Sequence, residues 1–310
     1  MSILVCGSIA YDTIMVFRDQ FKNHILPEQI HILNVAFLVP DLRREFGGCA
    51  GNIAYGLKLL GEEPLIMATA GHDFEPYERR LDMLGLSRRH VRRLDDHFTA
   101  QAFITTDIDD NQITAFHPGA MSQSHLNRIA ETSGVRLAIV SPDGRQGMVE
   151  HARDLARARI PYVLDPGQGL PMFSGDDLLE MLDGARCLTV NDYEARLVEQ
   201  KTGRSIAELS ARVEAVVVTR GSEGADILHG GQQIHVPAVS PDSLVDPTGC
   251  GDAFRAGLLY GMARGWDWLR SGRLASLMGA IKIAHRGGQN HRVGREEIAR
   301  RFAEAFGERL

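Results

Sequence analysis

Through its second half the chain alternates short aliphatic runs with amphipathic stretches, and few chain architectures tolerate that rhythm. Leu137–Val140, Tyr162–Leu164, Cys187–Val190 and Ala215–Thr219 are apolar runs of strand length. Between and after them, Gln146–Arg159, Asp176–Asp183, Asp192–Lys201 and Ser205–Arg212 carry apolar residues at helical spacing. A strand that is apolar throughout must be covered on both faces, and parallel neighbours need a crossover between them. The alternation therefore predicts an α/β protein: a doubly wound, mainly parallel sheet flanked by helices. From Ala253 onward the pattern is almost wholly helical.

The first third reads differently. Ile3–Cys6 leads a strand, and Ile53–Leu60 belongs to a helix opened by the Gly47–Gly51 turn. His31–Val39 and Ala100–Phe116 have the character of β ribbon, the second folding about Asp109-Asp110-Asn111 as a hairpin. These segments predict a small β-sheet lid over a cleft, formed near residues 12–42 and 98–118. The chain has no internal repeat, low-complexity stretch or long linker, so residues 1–310 are expected to form one domain with the lid as its appendage.

Composition removes several functions. Hydrophobic residues at 44% and charged residues at 24% are ordinary for a globular protein, and a net charge of −6 argues against a nucleic-acid partner. The arginine clusters at 88–93 and 292–301 are interrupted and read as solvated helix faces. Cys6, Cys49, Cys187 and Cys250 are scattered without a Cys-x-x-Cys pair, which suits a reducing cytoplasm and disfavours a zinc site. Met1–Ala10 reads as a strand rather than a signal peptide, and no run is long enough to span a membrane. None of the four lysines follows a glycine, so there is no Walker A loop. Gly-x-Gly-x-x-Gly after the first strand and Gly-x-Ser-x-Gly are also missing. His285 and His291 lack ligand-spaced neighbours and read as surface or capping residues.

Residues 246–257, Asp-Pro-Thr-Gly-Cys-Gly-Asp-Ala-Phe-Arg-Ala-Gly, carry the chemistry. Gly249, Cys250 and Gly251 form a small-residue turn at the start of a helix, where free amides and the helix dipole attract anions. Asp252 adds a carboxylate in the first turn. That combination suits phosphoryl transfer to a hydroxyl. On its own the segment is equally a glycine-rich helix start capped by an aspartate. Asp165, Asn191 and Thr219 follow predicted strands, and the carboxyl ends of parallel strands line the crevice of such sheets.

Gly47-Gly48-Cys49-Ala50-Gly51-Asn52-Ile53-Ala54, with Gly61 and Gly71 downstream, resembles the first signature of the ribokinase-type (PfkB) family of sugar and nucleoside kinases. Asp246–Asp252 resembles the second. Asn191-Asp192-Tyr193-Glu194 is similar to the family's Asn-x-x-Glu motif, and Thr219-Arg220-Gly221 to its Thr-x-Gly nucleotide turn. The run from Gly7–Asp12 through His117–Met121 looks most like bacterial adenosine or nucleoside kinases. The resemblance implies a ribokinase-like fold with Asp252 as general base and Gly249, Cys250 and Gly251 as the anion hole. It implies Asp12, Gly48 and Asn52 as the substrate-binding set. Asn191 and Glu194 would act through waters on Mg²⁺ and the ATP phosphates, and Thr219 and Gly221 would border the nucleotide. The helix Leu274–Ala284 and the loop Gly287–Asn290 would lie near the adenine. Asp246 and Thr248 match the loop that binds a monovalent cation, typically K⁺, in many relatives.

The segments Asn23–Leu42 and Leu94–Asn127 contain no Lys or Arg, which disfavours a phosphorylated substrate. Ile32, Leu33, Val35, Phe37 and Leu38, with Ile113, Phe116 and Met121, would make an apolar cover suited to a nucleobase. Asp165-Pro166-Gly167-Gln168 departs from the Asp-x-Asn-x-Arg pattern of the family's sugar kinases and again points away from an anionic substrate. The expected activity is ATP-dependent transfer of the γ-phosphate to the 5′-hydroxyl of adenosine or a related ribonucleoside. A kinase of free ribose or fructose, and a non-catalytic sugar- or nucleotide-sensing protein, are the alternatives. The lid is a candidate homodimer interface.

Overall fold

Strand β1 (Ser2–Cys6) is fully apolar after its first residue and sits inside the main sheet, between β4 (Leu65–Gly71) and β8 (Val135–Val140). The computed structural model describes residues 2–25, 32, 34–109 and 111–310. From β8 the sheet continues through β9 (Tyr162–Leu164), β10 (Cys187–Asn191) and β11 (Ala215–Thr219), all parallel. It ends in the antiparallel pair β12 (Ala225–His229) and β13 (Gln232–Val236). On the other flank β5 (Ser87–Leu94) pairs with β4 and closes the nine-stranded sheet.

Alternate residues of the buried strands feed two apolar layers. One face carries Val5, Ile139, Val163 and Val217 against α1 (Cys49–Leu59), α7 (Cys250–Ala263) and α8 (Trp268–Ile283), with α9 (Arg295–Phe306) outside them. The other carries Leu4, Val140, Leu164 and Val216 against α3 (Arg145–Arg157), α4 (Gly175–Leu182) and α5 (Asp192–Thr202). Helices on both faces of a mainly parallel sheet are what the alternation in the sequence demands.

A second, four-stranded sheet runs β3 (Asp41–Gly47), β2 (Ala10–Val16), β6 (Ala100–Thr106), β7 (Gln112–His117). β2 pairs in parallel with β6, and the outer pairs are antiparallel. The hairpin β6–β7 is the one expected at Ala100–Phe116, with Asp110 of its turn outside the described residues. The ribbon expected at His31–Val39 is not a strand over residues 34–39, and His31 and Leu33 fall outside the described residues. The partner of β2 is instead Asp41–Gly47, an edge strand whose charged, half-exposed sequence carries no apolar alternation. Arg88–Arg93 is likewise part of strand β5 rather than a helix face.

Candidate active site

Two glycines let backbone segments meet at the bottom of the cleft. Gly48, at φ 85°, opens α1, and a Cβ there would stand 2.6 Å from both Ala10 N and Ser8 O. Only glycine allows that contact between the β1–β2 connection and the helix start. Gly249, at φ 78°, opens α7 in the left-handed region. The two helix N-termini thus converge, and between their elements lies a cavity of about 790 Å³ roofed by the small sheet.

The cavity gathers most of the expected residues. Asp12 reaches it from β2, Gly48 and Asn52 from α1, Asn191 and Glu194 from the end of β10, Thr219 and Gly221 from the end of β11, and Thr248, Gly249, Gly251 and Asp252 from the start of α7. Cys250 and Asp246 do not line it. Cys250 instead borders a neighbouring cavity of about 400 Å³, which shares Thr219, Gly221 and Gly251 with the first. Ser276, Gly279, Ala280 and Ile283 of α8 form its wall, but the loop 287–290 does not. That loop packs against Asn52 and Asp246 instead.

Of the anion turn, one amide is already committed. Cys250 N–H donates to Pro247 O at 3.1 Å, closing a turn before the helix. The amides of Gly249, Gly251 and Asp252 have no partner among the described residues, so the free donors of this turn include Asp252 in place of the expected Cys250. Burial pushes the Cys250 thiol up to about 11, which keeps it protonated and unreactive.

Asp252 sets its carboxylate in the first turn of α7. Burial raises it from 3.8 to about 6, against the pull of an Asn52 hydrogen bond and the Arg255 charge. Asn52 Nδ2 donates to Asp252 Oδ2 at 2.8 Å, while Asn52 Oδ1 accepts from Gln289 Nε2 at 3.1 Å. Gln289 Nε2 also donates to Tyr77 Oη at 2.6 Å, and Tyr77 donates to Gly47 O at 2.8 Å. This chain fixes which end of the Asn52 amide faces the carboxylate. Tyr77 was not found by sequence, and Gln289 only within the loop 287–290 expected near the adenine; each acts through another side chain. Asp12, on the cavity face of β2, is raised to about 6 by burial and by the Asp246 and Glu45 charges. Gly47 makes room for it: a Cβ there would lie 2.4 Å from Asp12 Oδ2.

Asp165 does not stand alone at its strand end. Arg255 holds it bidentately through Nε and Nη2, the latter at 2.9 Å, with both side chains buried. A guanidinium therefore does stand at the end of β9, supplied from α7 three residues after Asp252. Its Nη1 lies over Gly251, 2.8 Å from where a Cβ would be. The cleft thus contains a fixed positive charge beside the free amides.

Asn191 and Glu194 cap α5 reciprocally, Glu194 N donating to Asn191 Oδ1 at 2.7 Å and Asn191 N to Glu194 Oε2 at 2.8 Å. Glu194 Oε1 remains outside the cap, on a residue that lines the cavity. No group of three metal-ligating side chains occurs among the described residues, so a divalent ion here would be held through water and phosphate.

Asp246 is already engaged at all three of its oxygens. Its carboxylate accepts from Thr248 N at 2.9 Å and Gly287 N at 2.8 Å, and its main-chain oxygen accepts from Lys282 Nζ at 2.7 Å. This donor set does not fit a bound K⁺.

The roof also departs from expectation. Phe116 and Met121 line the cavity, with Ala102, Ile104 and Thr114. Ile113 falls on the opposite face of β7 because strand residues alternate. Phe37 packs with its ring tilted against Phe17 and Phe21 and does not line the cavity, nor do Ile32, Val35 and Leu38. His291 is completely buried rather than superficial, against Tyr55. Its burial, with the His285 and Lys282 charges, lowers it to about 3, so it is neutral.

This frame and cleft define a class. Residues 10–293 match the model of the pfkB family carbohydrate kinases, and the chain belongs to that family, phosphotransferases with an alcohol group as acceptor. Among solved structures it is similar to the nucleoside kinase of Burkholderia thailandensis in complex with inosine, at 56% identity and a TM-score of 0.92 over 99% of each chain. The same protein with ADP and inosine gives 57% identity and a TM-score of 0.89, covering 99% of this chain and 97% of that one. The nucleoside kinase of Methanocaldococcus jannaschii is 30% identical over 87% of this chain and 89% of the relative.

Proposed function

We propose that this protein is an ATP-dependent nucleoside kinase that transfers the γ-phosphate to the 5′-hydroxyl of adenosine or a related ribonucleoside such as inosine. One observation carries the reading. Asp252, with three free amides at the start of its helix, shares one cavity with Asp12 on a lid strand that is backed by Phe116 and Met121.

Asp252 takes the proton from the attacking hydroxyl. Near pH 7 its carboxyl is ionised, yet its raised pKa keeps it a competent base. The Asn52 amide engages Oδ2 and leaves Oδ1 for the substrate. The amides of Gly249, Gly251 and Asp252 receive the negative charge on the transferred group, with the Arg255 guanidinium beside them. Asp12 accepts hydrogen bonds from the ribose hydroxyls, and Gly48 lets the ring approach the backbone. The nucleobase lies under Phe116 and Met121. ATP enters past Asn191, Glu194, Thr219 and Gly221, with its adenine in the 400 Å³ cavity against α8. Mg²⁺, when bound, neutralises phosphate charge, and Asn191 and Glu194 would hold it through waters. The lid excludes water from the transfer.

Leu42, Phe103 and Ile113 leave an exposed apolar stripe on the lid's outer face, which supports a homodimer through the lid. No described helix is long and apolar enough to cross a membrane. Four free cysteines suit a reducing cytoplasm.

The test is ADP release over a panel of nucleosides and free sugars. Turnover of purine ribonucleosides is expected. Turnover of ribose or fructose with no nucleoside active would overturn the reading, and no turnover at all would favour a sensor.

A further inference from the structure

Lys282 is fully buried in the last turn of α8, at 0% exposure. A buried ammonium is costly unless carbonyls or carboxylates meet its protons. Here Nζ donates to Asp246 O at 2.7 Å and to His285 O at 3.0 Å. It also stands at the negative end of the α8 dipole. The same corner is tied by Val245 N and Asp246 N, which donate to Ile283 O at 2.9 and 3.1 Å, and by Gly287 N on the Asp246 carboxylate. The Asp246–Thr248 loop leads straight into Gly249 and the free amides of α7. Whatever holds that loop to α8 therefore sets where the anion turn points. A monovalent cation placed there would need the carbonyl oxygens that Lys282 occupies.

We propose that the Lys282 ammonium is a tethered replacement for a bound monovalent cation, clamping the Asp246–Thr248 loop to the end of α8 and positioning the anion turn without K⁺. The proposal rests on the reading of that turn as the phosphoryl-transfer site. Lys282 is a positioning residue, because its amine touches main-chain oxygens and lines neither cavity.

Two measurements test it. In the wild-type protein, exchanging K⁺ for choline at constant ionic strength changes kcat by less than about twofold, since a ligand without a site shifts nothing. Lys282→Ala opens an ammonium-sized space against two carbonyls. Its kcat in choline falls by about 10- to 100-fold from misplacement of the turn, and K⁺, Rb⁺ or NH₄⁺ restores it while Li⁺ does not. A purely structural lysine would give a loss that no cation repairs. The second readout needs no turnover: crystals soaked in Tl⁺ are examined by anomalous scattering. Wild type should show no Tl⁺ between Asp246 O and His285 O, and the variant should show one.

Several-fold activation of wild type by K⁺, or a Tl⁺ ion at that place in wild type, overturns the proposal. So does a variant with wild-type melting that neither recovers with cations nor binds Tl⁺. Should Lys282→Ala fail to fold, the two wild-type measurements decide alone. Should no nucleoside be phosphorylated, the kinase reading falls, and the Tl⁺ soaks still decide whether the ammonium occupies a cation's place.

Discussion

Removing the Asn52 amide isolates the electrostatics of the proposed base. Asn52 Nδ2 donates to Asp252 Oδ2 at 2.8 Å, and the opposite end of that amide is locked by Gln289. A hydrogen bond to a charged acceptor contributes about 1.5–3 kcal/mol. One pKa unit corresponds to about 1.36 kcal/mol, so Asn52→Ala moves Asp252 up by about one to two units. From about 6, its titration shifts to about 7–8. At pH 7 the ionised fraction then drops from about nine-tenths to between about a half and a tenth, and kcat/KM falls about 2- to 10-fold. The loss closes by about pH 9.5, where Asp252 is ionised in both proteins. The assay is kcat/KM for the nucleoside at saturating ATP across the pH range. In wild type the acid limb is steeper than one proton, because Asp12 also titrates at about 6. In Asn52→Ala the two steps separate. A uniform fall at every pH, with the acid limb unmoved, would refute the argument and leave Asn52 a binding residue only.

Asp252→Asn should reduce turnover by about 100- to 10,000-fold, while calorimetry still detects nucleoside binding; unchanged activity removes Asp252 from the mechanism. Burial holds the Asp252 carboxyl above its ordinary value, so the folded state favours its protonated form, and stability declines as pH rises from 3.8 to about 6. The neutral amide escapes that decline, so the Asp252→Asn variant has a higher Tm than wild type at pH 8, and the difference vanishes near pH 4. Arg255→Met leaves Asp165 buried without its partner and should cost about 3–5 kcal/mol in urea unfolding, most of it regained in Arg255→Met/Asp165→Leu. A loss below about 1 kcal/mol would show the pair to be no better than a surface ion pair.

What the sequence revealed followed periodicity and burial. β9, β11 and α5 appear almost residue for residue where apolar runs and helical spacing put them, because the two strands are buried on both faces and the helix packs one apolar stripe, Ala195 and Val198, on the sheet. β3 and β5 escaped detection because each is a sheet edge, half-exposed and charged, where pairing rather than side-chain pattern defines the strand. In the site, residues that touch the cavity directly were legible as motifs. Partnerships between distant residues were not: Gln289 meets Asn52 across 237 positions, and Arg255, which also lines the cavity, meets Asp165 across 90. Lys282 was passed over as one lysine among four, since nothing local marks a lysine whose partners are main-chain oxygens.

Strand β5 also governs how molecules of this protein meet one another in concentrated solution. One flank of it is paired with β4, and the other ends the nine-stranded sheet. An open edge of that kind is a template for a strand from another chain. Arg88, Arg89, Arg92 and Arg93 are exposed along it, and Glu78, Asp82, Asp95 and Glu131 hold three of them in place. A strand from a second copy could pair here only by displacing these ion pairs and desolvating four guanidinium groups. The arginine run is thus a guard against sheet extension at this flank, one of the two edges of the main sheet, β13 being the other.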